Sequence, residues 1–312
     1  MAINKVMRAA LTVLSYPDIN IKKNYPLERG LVEIASRRLK KPKLYRIWEH
    51  KVSRGTHEIP VRIFTPPESG KDSIILFFHG GGWVTGSIDS YDGVCADMAS
   101  MTSRTVVSVD YRLAPEYPFP ASLEDCYAVA HEIIMNEELL GTKMEEITVL
   151  GDSAGGNLAA AVSLMARDRG EFLPARQILI YPSTGNDHSE GSPFPSVREN
   201  GSGYLLTSKR VRDYMELYCP SARDMKNPYV APLLAEDFSN QPDTLIITAE
   251  YCPLRDEGEA YGDKLREAGN RVEIFRMPDA LHGYFSLPVR FTQVRRTYEL
   301  INKFLEGGAT NE

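Results

Sequence analysis

The feature that most constrains this chain is the junction Ile147-Thr148-Val149-Leu150-Gly151-Asp152-Ser153-Ala154-Gly155-Gly156-Asn157. The apolar run 147–150 reads as a buried strand. The Ala-rich stretch 158–169, closed by Gly170, reads as a helix. Between them stands Gly-x-Ser-x-Gly. Strand, tight turn and helix are the setting that a nucleophile elbow requires. The serine of such a turn sits in strained φ/ψ, and side chains at Gly151 and Gly155 would collide with the strand or helix. The helix start behind Ser153 directs N–H groups and a dipole toward nearby negative charge. The pentapeptide alone is a weak signal, so its weight depends on partners elsewhere.

With 312 residues the chain can bury one large core. A net charge of −6 and the lack of a basic stripe argue against a nucleic-acid partner. No apolar run approaches membrane-spanning length, which argues against a membrane partner. The N-terminus has basic residues before a short apolar stretch. That stretch is too short for a signal peptide, and no small-x-small cleavage site follows it. Ile3, Val6, Met7, Ala10, Leu11 and Leu14 instead fall at helical spacing. Leu31, Ile34, Ala35 and Leu39 give a second amphipathic stripe. Cys95, Cys126, Cys219 and Cys252 have neither metal-ligand nor redox spacing, so the expectation is reduced thiols in the cytoplasm.

Residues 44–52 and 59–64 alternate around Gly55 and predict an antiparallel strand pair, with Pro60 better suited to an edge or irregular position. Continuous apolar strands then follow at 74–78, 105–109, 147–150, 177–181, 244–249 and 271–275. Helical patterns occupy 91–102, 122–136, 158–169 and 292–305. This alternation predicts an α/β class with a mostly parallel central sheet and helices on both faces. Residues 183–242 interrupt it with a loop-rich, strandless insertion carrying a helix near 208–218. The expectation is one domain, 1–312. A helical cap of 1–43 and about 183–242 packs over the carboxyl ends of the strands, and the core comprises 44–182 and 243–312.

His79-Gly80-Gly81-Gly82-Trp83 follows the strand at 74–78. Its bare backbone N–H groups suit an oxyanion that forms as a carbonyl becomes tetrahedral. His79 reads as a residue that fixes this loop. His282-Gly283 lies after the last strand and before the last helix, where the base of a Ser…acid…His order falls. The acid belongs in the loop after 244–249, which reads Glu250-Tyr251-Cys252-Pro253-Leu254-Arg255-Asp256-Glu257. Asp152, Asp110 and Arg112 read as structural anchors. Tyr181, Leu205, Leu206 and Phe285 read as pocket lining or core.

His79-Gly-Gly-Gly-Trp83, Asp110-Tyr-Arg-Leu-Ala-Pro-Glu116, Gly151-Asp-Ser-Ala-Gly-Gly-Asn157 and His282-Gly283 together resemble the hormone-sensitive-lipase-like branch of the α/β-hydrolases, bacterial carboxylesterases with a helical cap. The motifs keep the family's order over nearly the whole chain. The resemblance implies an α/β-hydrolase fold, Ser153 as nucleophile, His282 as base, and an oxyanion hole made by Gly81, Gly82 and Ala154. It also implies hydrolysis of small esters through an acyl-enzyme, without cofactor or metal, and a homodimer; short acyl groups are expected because the cap restricts the pocket and the sequence shows no lipid-interface helix. One position departs from the family motif Asp-Pro-Leu-x-Asp-Glu: Cys252 stands where the acid is expected. Four readings stay open. Asp256 acts instead; Glu250 acts instead; Cys252 acts as a thiolate beside an imidazolium; or no acid operates and a weakened Ser–His pair remains. The rival functions are a non-hydrolytic small-ligand binding protein on the same fold, and an amide or lactone hydrolase.

Overall fold

The structure, a computed structural model, describes residues 21–37, 46–55, 57–66 and 73–307. In chain order its elements are α1 (Ile21–Arg37), β1 (Arg46–Arg54), β2 (His57–Thr65), β3 (Ile74–Phe78), α2 (Asp92–Thr102), β4 (Thr105–Val109), α3 (Ala121–Met135), α4 (Glu137–Leu140), β5 (Ile147–Asp152), α5 (Ala154–Arg169), β6 (Arg176–Ile180), α6 (Pro195–Glu199), α7 (Ser208–Tyr218), β7 (Asp243–Tyr251), α8 (Arg255–Glu267), β8 (Val272–Leu281) and α9 (Thr292–Leu305). The helix expected over residues 3–14 lies outside the described residues.

Eight strands form one sheet in the order β1-β2-β4-β3-β5-β6-β7-β8. β1 and β2 pair antiparallel, as do β2 and β4; every later pairing is parallel. Five consecutive apolar side chains of β3 are fully buried, because the sheet is covered on both faces. Helices α3, α5 and α8 cover one face, while α2 and α9 pack together on the other. The strand order reverses between β3 and β5. The connections that leave their carboxyl ends therefore run to opposite sides, and an open α/β sheet offers a ligand crevice at such a switch point.

Two details differ from the sequence expectation. Pro60 lies in β2, an interior strand. The β2–β4 ladder begins only at Val61, so the missing N–H breaks no rung, and the Pro60 carbonyl still accepts from Asp110 N at 3.0 Å. The stripe at Leu31 and Ile34 does not face the core. Both side chains are more than half exposed, and α1 holds on through other residues.

Residues 182–242 contain no strand. Helix α7 packs on α1, where Tyr214 Oη donates to Glu28 Oε1 at 2.7 Å and Lys22 pairs with Glu216. Arg29 of α1 donates from Nε to the Val84 carbonyl at 2.6 Å and from Nη2 to Ala114 O at 2.8 Å. Helix α1 thus ties the insertion to the loops that follow β3 and β4.

Candidate active site

Four strand ends supply the site. β5 ends at Asp152, and Ser153 follows with φ 56° and ψ −118° before α5 begins. Two contacts force the sharpness of this turn. A Cβ on Gly151 would lie 2.1 Å from the Gly155 carbonyl oxygen, and one on Gly155 would lie 1.9 Å from the Phe78 carbonyl oxygen. Only glycine lets the elbow pack this closely against itself and β3. Ser153 N donates to Ile180 O at 2.9 Å, which fixes the strained residue to β6. Asn157, one turn into α5, donates from Nδ2 to Ser183 O and Val230 O at 2.8 and 2.9 Å, binding the elbow helix to the insertion.

β8 runs to Leu281 and delivers His282 beside the elbow. Ser153 Oγ lies 2.9 Å from His282 Nε2. On the other edge of the ring, Nδ1 lies 3.1 Å from Cys252 Sγ, just beyond the end of β7. The three side chains form one line of contacts, with sulfur in the place of a carboxylate.

Neither alternative carboxylate joins this line. Asp256 Oδ1 accepts from Arg255 Nε and Oδ2 from Ser196 N, both at 2.7 Å. Burial pushes the Asp256 carboxyl up, but Arg255 and Ser196 outweigh it and hold it below its ordinary range. Glu250 Oε2 accepts from Asp279 N at 2.7 Å. Both expectations of a substitute acid therefore fail, because each carboxylate is committed to a structural partner. The thiolate reading fails as well. Burial pushes the Cys252 thiol far up, and Leu254 N, 3.4 Å from the sulfur, only partly opposes this. Burial likewise holds His282 at about 3, so the pair is thiol and neutral imidazole.

A neutral thiol poses a tautomer problem. If Cys252 donates its S–H to Nδ1, the ring proton sits on Nε2, which then cannot accept from Ser153. If Nδ1–H donates to sulfur, Nε2 is free to accept, but sulfur is a weak acceptor that already receives Leu254 N–H. A carboxylate, which only accepts, admits the second arrangement alone.

The loop after β3 lies across from the serine. Gly81 and Gly82 have φ 124° and 62°. A Cβ on Gly81 would lie 2.2 Å from Thr85 O, and one on Gly82 would lie 2.5 Å from the Tyr214 ring. The backbone here is pressed between the core and helix α7. Trp83 stacks on Tyr218 of α7 at 4.4 Å between ring centroids. His79 is buried away from the serine; its Nδ1 donates to Gly80 O at 2.8 Å and its ring stacks on Tyr111 at 4.3 Å. Asp152 anchors the loop from below. Oδ1 accepts from Gly80 N at 2.8 Å, and Oδ2 accepts from Tyr91 Oη at 3.1 Å and Tyr181 Oη at 3.3 Å. Burial raises the Asp152 carboxyl to about 6 despite these bonds. Asp110 Oδ1 accepts from Ile88 N at 3.2 Å, and Arg112 forms a two-pronged pair with Asp125 at 2.8 Å.

Ser153, Ala154, His282, Gly81 and Gly82 border a cavity of about 190 Å³, lined on its other side by Leu206, Val211 and Tyr214 of the insertion. Tyr181 is fully buried with its ring 4.7 Å from that of His282, and Phe285 lines a neighbouring cavity. Sequence reading missed Tyr214 and Tyr91. Both sit in ordinary helical or loop patterns, and only the fold brings them to the glycine loop.

Residues 75–286 match a family model described as an alpha/beta hydrolase fold. The chain is 38% identical over 245 residues to an arylesterase of Saccharolobus solfataricus, covering 78% of each. It is 37% identical over 265 residues to carboxylesterase NlhH of Mycobacterium tuberculosis, covering 81% of this chain and 82% of that one. Among solved structures, a hyperthermophilic esterase from Pyrobaculum calidifontis superimposes with a TM-score of 0.88 at 35% identity, over 98% of this chain and 99% of that one. With this sheet, this elbow and these relatives, the chain belongs to the hormone-sensitive-lipase-like branch of the α/β-hydrolases and is a serine carboxylesterase.

Proposed function

We propose that the protein hydrolyses small, short-acyl esters through an acyl-enzyme on Ser153, at a rate lowered by Cys252. The observation that carries the reading is the line Ser153 Oγ to His282 Nε2 to Cys252 Sγ, with contacts of 2.9 and 3.1 Å. In the productive tautomer, His282 accepts the Ser153 proton as Oγ attacks the ester carbonyl. Gly81, Gly82 and Ala154 present their N–H groups to the oxyanion. His282 then protonates the leaving alcohol, activates a water, and the acyl-enzyme is cleaved. The cavity volume of about 190 Å³ supports a short acyl group, since an apolar cavity of about 150 Å³ is filled by a benzene-sized guest. Residues 183–242 act as the cap together with α1 of the N-terminal segment 1–43, the rest of which lies outside the described residues; the reading is supported by Leu206, Val211 and Tyr214 lining the cavity and by the contact of α1 with α7.

Residence in the cytoplasm belongs to the same proposal and is supported by four cysteines without disulfides. No helix among the described residues is long and apolar enough to cross a membrane. A homodimer rests on family resemblance alone.

The test is turnover of a chromogenic acetate or butyrate ester by wild type, with Ser153→Ala as blank. Wild-type turnover above the blank supports the reading. Wild type equal to the blank while Cys252→Asp is active limits the proposal to a site disabled by its cysteine. Silence of both across a panel of esters favours the binding-protein alternative.

A further inference from the structure

The three proposed oxyanion donors share one construction. In a trans peptide the C=O of one residue and the N–H of the next lie in one plane and point in opposite directions. The Ala154 N–H therefore shares its plane with Ser153 O, which accepts from Asn157 N at 3.0 Å. The Gly81 N–H shares its plane with Gly80 O, which accepts from His79 Nδ1 at 2.8 Å. The Gly82 N–H shares its plane with Gly81 O. That carbonyl accepts from Val84 N at 3.2 Å, Thr85 N at 2.9 Å and Thr85 Oγ1 at 3.0 Å. Neither Gly81 N nor Gly82 N donates to a protein atom among the described residues. Each of these two N–H groups is open to a ligand, and its direction is set by whatever holds the carbonyl behind it.

We infer that Thr85 is a positioning residue for the oxyanion hole: its hydroxyl aims the Gly82 N–H at the reacting carbonyl. The inference rests on the esterase reading and adds a residue to that site. The two backbone donors on Gly81 O come with the turn at residues 81–85 and need no particular side chain. The hydroxyl is the one contact that depends on residue type. Thr85 is buried and does not line the catalytic cavity, so it acts on the reaction only through the Gly81–Gly82 peptide. A further donor on that carbonyl also polarises the peptide and strengthens the N–H at its other end. On the side of the insertion, the Tyr214 ring fills the space where a Gly82 Cβ would stand, and its hydroxyl is tied to Glu28 at 2.7 Å. The peptide is thus held at its carbonyl by Thr85 and covered at Gly82 by Tyr214. Without the hydroxyl the plane is freer to tilt. A tilt matters little to the neutral ester carbonyl and most to the tetrahedral stage, when the oxygen carries charge. The effect therefore falls on kcat and spares KM.

Thr85→Val keeps the shape of the side chain and removes the donor, whereas Thr85→Ser keeps the donor and trims a methyl group. Removing a whole oxyanion donor costs about 10²–10³ in kcat, and Thr85→Val leaves two of the three bonds on Gly81 O, so its kcat on a chromogenic acetate ester should fall about tenfold. KM should stay within about twofold of wild type. Affinity for phenylboronic acid, whose tetrahedral adduct with Ser153 places an oxygen in the hole, should fall by a similar factor. Thr85→Ser should bring both readings back to within about threefold of wild type. Thr85→Ala removes the donor with less bulk and takes the place of the valine variant if that chain does not fold. A kcat of the folded donorless variant within about twofold of wild type, an equal loss in Thr85→Ser, or a loss confined to KM overturns the inference. If no ester gives Ser153-dependent turnover, the esterase reading fails separately. NMR of protein with isotope-labelled glycine then decides the part played by Thr85. The Gly82 nitrogen resonance, which responds to the bond at the Gly81 carbonyl, should shift in Thr85→Val and return in Thr85→Ser; a resonance unmoved in Thr85→Val refutes the aiming role.

Discussion

Replacing Cys252 by aspartate tests the chemistry of this site most directly. Burial holds His282 at about 3 rather than 6.5, so the imidazolium that forms during attack is about 5 kcal/mol less accessible than in water. In a complete triad the acid offsets such a penalty and fixes the Nδ1–H tautomer. Losing it in serine proteases lowers kcat by about 10⁴, or roughly 5–6 kcal/mol. The two figures agree in size, so Cys252→Asp should raise kcat on a short acetate ester by about 10³–10⁴. The geometry is prepared, with Nδ1 at 3.1 Å from sulfur and Leu254 N–H already directed at that position. The acid limb of kcat/KM should move as well. In wild type the base stays neutral down to pH about 3, so no loss from His282 occurs above that value. A new carboxylate favours the imidazolium, so the limb shifts to higher pH in the variant. Cys252→Ser supplies the control: a hydroxyl can donate to Nδ1 as a thiol can, and should leave the rate low. Pre-steady-state and steady-state kinetics over pH 4–9 read all three. A rate for Cys252→Asp within about threefold of wild type, with folding intact, refutes the tautomer argument.

Further expectations follow from neighbouring residues. Ser153→Ala should abolish turnover while leaving the thermal midpoint within a few degrees, as scanning calorimetry will show. Asp152 and His282 drive stability in opposite directions with pH. Asp152 titrates at about 6 when folded against 3.8 unfolded, so the folded state holds the extra proton and stability falls as pH rises between them. His282 binds its proton only in the unfolded chain between about 3 and 6.5, so stability rises with pH there. Asp152→Asn removes the first slope alone, so the gain in stability from pH 4 to pH 6, read by urea unfolding, should be larger in the variant than in wild type by about 2 kcal/mol; parallel curves would contradict the assignment. Gly155→Ala puts a methyl group 1.9 Å from Phe78 O and should cost more than about 3 kcal/mol or prevent folding, judged by soluble yield and denaturant midpoint.

The central sheet was legible because buried parallel strands are written as uninterrupted apolar runs. Helix α9 was legible because its apolar stripe has the helical period, and its bounds match expectation. Helix α8 was harder to read. Gly258 and Gly262 are poor helix formers, yet they face the sheet: a Cβ on Gly262 would lie 2.7 Å from Ile274 Cδ1. Close packing there outweighs propensity. The far half of β8, Arg276–Leu281, contains Pro278 and Asp279 and carries no strand pattern. It holds its place by pairing with β7 across a register irregularity at Ala249/Tyr251. That extension sets His282 beside the elbow. Ser153, His282 and the glycine loop were readable from order along the chain. Whether Asp256 or Glu250 would replace the missing acid was not, since both carboxylates lie in the right stretch and only their Ser196, Arg255 and Asp279 partners remove them.

The stacking of Trp83 on Tyr218, and of the Tyr214 ring over Gly82, bears on how such enzymes can be recombined. Exchanging residues 183–242 between relatives is an obvious way to trade substrate range. In this chain the exchange is not modular. The segment supplies the surface against which the glycine loop is moulded, so a foreign insertion would arrive without the partner that shapes Gly81 and Gly82. A functional chimera therefore needs its junction drawn to include residues 79–84 with the transplanted helix, and the two stretches should vary together when libraries are selected for new esters.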